Sequence, residues 1–152
     1  MKLLKPFIIL STAITLLSAC KKEKASPDSD YTYYEVGFKS QSADWRDTSF
    51  VVRTMNAVLI QQIDAQLALP VAQRKIVTGA LVAGSGGYNK NASHTFKWHF
   101  KENDWNLADV TIEIYDGKPY TDIDQHFDYW IDTVKRYGAW GSYIKRKMPD
   151  EN

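Results

Sequence analysis

The chain has 152 residues, a formal charge of +1 and 24% charged residues. That balance lacks the basic footprint of a nucleic-acid binder, so no nucleic-acid partner is expected. A single cysteine excludes an intrachain disulfide. The fold must therefore rest on its core, for which five Trp, nine Tyr and six Phe supply bulk.

The first twenty residues read MKLLKPFIILSTAITLLSAC. Lys2 and Lys5 make a basic start, Phe7 to Leu17 an apolar run, and small residues lead into Cys20. This is the layout of a secretory signal. Eleven residues at about 1.5 Å each reach roughly 16 Å, against roughly 30 Å of hydrocarbon, so the run does not predict a spanning helix. The ending Leu17-Ser18-Ala19-Cys20 resembles the lipobox of bacterial lipoproteins. The resemblance implies cleavage after residue 19, a diacylglycerol on the Cys20 thiol and a further acyl chain, such as palmitate, on the new amino group. Removing Lys2 and Lys5 from 19 basic residues leaves 17 against 18 acidic ones in the mature part. Several acyl chains hold a protein on a membrane, at about 0.8 kcal/mol per buried CH₂. The expected organisation is a signal peptide at 1–19, a lipidated cysteine and flexible tether at 20–48, and one domain at 49–149.

The segment KKEKASPDSD is charged and small, and cannot bury enough apolar area to offset its chain entropy. YTYYEVGFKSQSADW reads either as an edge strand or as a continuation of the tether. SFVVRTM is β-branched and predicts a strand. Asn56 is a good N-cap for a helix with Leu59, Ile60, Ile63 and Leu67 on one side, ended by Pro70. KIVTGALVAG predicts a second strand, and GSGGYNKNAS a glycine-rich loop. HTFKWHF alternates, with Phe96, Trp98 and Phe100 on one face. KENDWNLAD reads as a turn. VTIEIYDG alternates again, and predicts a strand with Val110, Ile112 and Ile114 inward. A helix follows, capped by Thr121, with Asp122 and Asp124 in its first turn and Gly138 at its end. SYIKRKM predicts the last strand. The order β-α-β-β-β-α-β points to an α+β fold, a mostly antiparallel sheet with two helices on one face.

The run FVVR…LVAGSGGYN…FKWHF…VTIEIYDGKP…YWIDTVKRYGAWG resembles a small bacterial domain related to the N-terminal domain of a slime-mould calmodulin-binding protein. The likeness spans Phe50 to Met148. Its markers are the Gly-rich loop, Trp98-His99, Glu113-x-x-Asp116-Gly117, Trp130 and Trp140-Gly141. Relatives carry cysteine at the positions of Tyr115 and Gly138, and proline at that of Glu102. The resemblance therefore implies one bridge missing here. It implies no activity, and calmodulin, a eukaryotic partner, is not transferred.

The chemistry-bearing residues are few. His94, His99 and His126 show no metal-ligand spacing, so no metal and no cofactor is expected. No GxSxG elbow is present, and GSGG lacks the Lys-Ser/Thr ending of a phosphate loop. The candidate binding residues are Tyr88 in the glycine-rich loop, Trp98, His99, Glu113 and Asp116. The leading expectation is a membrane-tethered, non-catalytic binding module of the bacterial cell envelope that binds or inhibits a protein partner, or binds a glycan. The alternative is an envelope hydrolase using Glu113, Asp116 and His99 as acids and bases.

Overall fold

A computed structural model describes residues 30–112 and 115–149. Cys20, the leader and Glu113 lie outside them. Eight strands form: β1 (Thr32–Phe38), β2 (Ser49–Thr54), β3 (Ile76–Ala83), β4 (Lys90–Asn91), β5 (His94–Thr95), β6 (Trp98–Ala108), β7 (Arg136–Tyr137) and β8 (Ser142–Lys147). One regular helix, α1 (Ala57–Leu67), lies between β2 and β3. All the pairings are antiparallel, in two three-stranded sheets ordered β2-β1-β8 and β6-β3-β7, with β4-β5 as a small hairpin.

β1 corrects the expected domain start at residue 49. It is the central strand of its sheet, with Tyr34 and Val36 fully buried. Its outward Glu35 is covered by β8: Lys145 Nζ and Arg146 Nε donate to its carboxylate at 2.8 and 2.5 Å. Burial alone would raise the Glu35 pKa. The two cations overcome that and hold it below the ordinary glutamate value.

The sheets enclose an aromatic core. The Phe50 ring meets Trp98, Phe100 and Tyr137 at 5.1, 5.5 and 5.3 Å between centroids. Side chains close both seams between the sheets. At the β2–β6 seam, fully buried Asn89 accepts from Val51 N at 2.9 Å and donates to Trp98 O at 2.8 Å. Trp105 Nε1 donates to Arg53 O beside it. At the β8–β3 seam, Val77 N donates to Ser142 Oγ and Arg74 Nη1 to Ile144 O. These bonds satisfy main-chain groups that no continuous ladder reaches.

Asn56 caps α1, its Oδ1 accepting from Val58 N and Leu59 N at 3.0 and 3.2 Å, and Leu59 and Ile63 enter the core. The other expected helix is irregular. It consists of a π-turn (Pro119–Asp124), a short α-turn (Phe127–Tyr129) and a second π-turn (Trp130–Val134). Buried Asp47 caps it from a distant segment, accepting from Tyr120 N and Thr121 N, while Thr121 Oγ1 also donates to it. Thr121 is therefore a donor, not the cap. The helix stops at Lys135, whose φ is 61°, before Gly138.

Two elements differ from expectation. KENDWNLAD continues β6 instead of turning. Gly79 pairs with Trp105 and Leu81 with Phe100, so residues 101–104 bulge opposite Ala80. Gly79 is required there, because a Cβ would lie 2.6 Å from Trp105 Cβ and 2.7 Å from Phe100. Residues 110–112 form no strand, and Val110 and Ile112 face outward. The observed order thus has a strand before the expected first one and none at 110–112, with α1 as the only regular helix among the described residues.

Candidate functional site

Three clusters hold the chemistry-bearing residues. The first surrounds Arg53 on β2. Its guanidinium donates to Glu102 Oε1 at 2.7 Å and lies over the rings of Tyr31 and Tyr88 at 4.1 and 4.6 Å. Tyr88, expected as an exposed loop aromatic, is buried here. Its hydroxyl donates to Phe100 O, its ring meets Tyr33 and His99 edge-on, and burial raises its pKa. His99 Nδ1–H donates to Gly84 O at 2.6 Å. Gly86, at φ 63°, lets the loop pass over Tyr88 and His99, where a Cβ would clash at 2.6 Å. His99 and Tyr88 therefore prop the glycine-rich loop from beneath.

The second cluster joins the hairpin to the helical segment. His94 Nε2 lies 3.0 Å from Oδ2 of buried Asp124, whose Oδ1 accepts from Lys97 N at 2.8 Å. The His94 ring stands edge-on to Phe96 and Tyr120, and the Arg46 guanidinium covers Tyr120 at 3.4 Å. Asp44 binds that guanidinium through both oxygens and is held at a pKa of about 2 by it. Beside this cluster lies a shallow, open depression of about 320 Å³ lined by Lys97 and residues 124–129. Neither His99 nor Asp116 lines it.

Asp116 is exposed and pairs with Lys118 at 3.5 Å. No ion pair or hydrogen bond joins it to His99. Trp98 is fully buried, and its Nε1 donates to Pro119 O. The structure thus does not bring Asp116, Trp98, His99 and Tyr88 to a common surface. Among the described residues no three His, Cys, Asp or Glu side chains form a group able to hold a metal.

The third cluster is apolar and faces solvent. Val110 and Ile112 are 81% and 87% exposed, Tyr115 62%, Trp140 55% and Tyr129 44%. The segment carrying the aliphatics is fixed from its inner side. Thr111 Oγ1 donates to Gly138 O at 2.5 Å, and Trp140 Nε1 donates to Thr111 O at 2.9 Å. Tyr115 meets Tyr129 edge-on at 6.2 Å and extends the surface toward the helical segment. Sequence alternation marked these aliphatics as a pair on one face but assigned that face to the core. Monomeric domains rarely expose such a group, which is the usual mark of a contact surface.

Dispersed acids, a filled Arg53 cage and an apolar outer face define a small antiparallel β-sheet domain built for contact more than for bond chemistry. Residues 34–151 match the family model of the calmodulin-binding protein's N-terminal domain, and the chain belongs to that family. The match agrees with the resemblance read from the sequence and includes β1, which the likeness from Phe50 did not reach. Neither a curated protein nor a solved structure matches the chain.

Proposed function

We propose that this protein is a non-catalytic binding module of the bacterial cell envelope, tethered to a membrane through acylated Cys20, that docks a protein partner. The observation that carries this reading is the exposed face of Val110, Ile112, Tyr115, Tyr129 and Trp140. The separation of Asp116 from His99 supports binding over hydrolysis, because paired acid–base work needs groups within hydrogen-bond reach of one substrate. Burial of Tyr88 moves the contact surface from the glycine-rich loop to the 110–140 face. Among the described residues no helix is long and apolar enough to cross a membrane, so attachment in this reading rests on the leader and Cys20.

The test combines fractionation and partner capture. The natural chain should sediment with membranes and gain the mass of its acyl chains, whereas Cys20→Ser should be released or left uncleaved. Partner recovery from the native envelope should fall at least tenfold with Ile112→Lys. Unchanged fractionation for Cys20→Ser refutes the tether. Unchanged recovery for Ile112→Lys refutes the docking face.

A further inference from the structure

The apolar face needs an occupant, and the remaining segments of the chain do not fit it. KKEKASPDSD before the domain and Asp150-Glu151-Asn152 after it are polar and charged, so neither buries an apolar strip. We propose that the occupant is a second copy of this chain, the two copies meeting across a two-fold axis near Thr111 so that Val110 of each packs on Ile112 of the other. This rests on reading the 110–140 face as a docking surface, and names what docks.

Three observations lead there. The strip is its own complement: Thr111 is turned inward to Gly138, while Val110 and Ile112 flank it facing outward. Inverting a second copy over the first places Val110 against Ile112 twice, the isologous geometry of a closed dimer. The main chain has unused capacity as well. Val110 and Ile112 make no main-chain hydrogen bond with the described residues, so an antiparallel neighbour gains rungs there without breaking any.

Area is the third. A Tyr or Trp side chain offers about 150–250 Å², so three half-exposed aromatics with two aliphatics present on the order of 600 Å². Two such faces would bury about 1,200 Å², the lower edge of a standard stable interface. The rim carries both signs, with Asp116 and Lys118 already paired at 3.5 Å, so apposition does not confront blocks of like charge.

Light scattering on the full chain in detergent, from about 1 to 100 µM, reads the outcome directly. The expected mass approaches twice the chain's 17.4 kDa at the upper end, after subtraction of bound detergent. Ile112→Lys should return it to a single chain with an unchanged melting curve. A second measurement uses Val110→Cys with Ile112→Cys in a Cys20→Ser background, where mild oxidation should link two copies. A single-chain mass throughout together with no linked species overturns the proposal, as does a dimer that survives Ile112→Lys. If the chain is monomeric yet Ile112→Lys still loses the envelope partner, the dimer is refuted and the docking face stands.

Discussion

Residues 96–100 and residues 110–112 alternate apolar with polar side chains, yet Phe96, Trp98 and Phe100 are buried and Val110 and Ile112 are not. The difference lies in what runs alongside. β6 is paired with β3 on either side of its bulge, and its apolar face closes on Phe50 and Tyr137. Residues 110–112 have only Gly138 and Trp140 beside them, held through one threonine. Alternation thus encodes two unlike faces. Which face is covered depends on partners distant in the chain.

Mutations that separate the two regions should differ by an order of magnitude. Trp98→Ala empties the centre of the aromatic core and should cost about 3–5 kcal/mol, read by chemical denaturation. A cost below about 1 kcal/mol would mean that the core is not assembled around that ring. Asn89→Ala leaves Val51 N and Trp98 O without partners at a closed seam, and should cost about 2–3 kcal/mol. An Asn89→Ala protein as stable as the parent would show that the seam is held by other means.

Glu35 should give a smaller effect that depends on pH. Its folded pKa lies below the unfolded one, so its contribution is present at neutral pH and is lost as pH falls through the folded value. The partners Lys145 and Arg146 are about half exposed, which limits the contribution to less than about 1 kcal/mol. Urea melts at pH 7 and pH 3 should show the parent losing more stability than Glu35→Gln over that interval. Equal losses would remove Glu35 from the balance. The smallest effect belongs to the outer strip. In dilute solution Ile112→Lys should change unfolding stability by no more than about 0.5 kcal/mol. A loss approaching that of Trp98→Ala would place Ile112 in the core after all.

Features fixed by neighbouring residues were legible in the sequence. Asn56, the apolar spacing of α1 and Pro70 are all local, and the helix stands where they put it. β1 was hidden because its tyrosines and Glu35 do not look buried until Lys145 and Arg146, more than a hundred residues away, cover them. The length of β6 was hidden by a polar bulge, and the cap of the irregular helix by Asp47, which belongs to another part of the chain. Among the candidate site residues, the sequence pointed correctly to Trp98 as an aromatic of the strand. It could not anticipate that Arg53 and Tyr33 would draw Tyr88 inward. Asp116 stayed at the surface, as Asp-Gly turns do.

The placement of β1 has a mechanical consequence. Any pull arriving along the residues before Tyr31 enters at the start of a strand hydrogen-bonded on both flanks, just past a ring stacked under Arg53. The load then runs parallel to the strand axis and is shared by the rungs of two ladders at once, where a peeling geometry would break them singly. A domain hung by this end would resist traction in shear, its sturdiest direction.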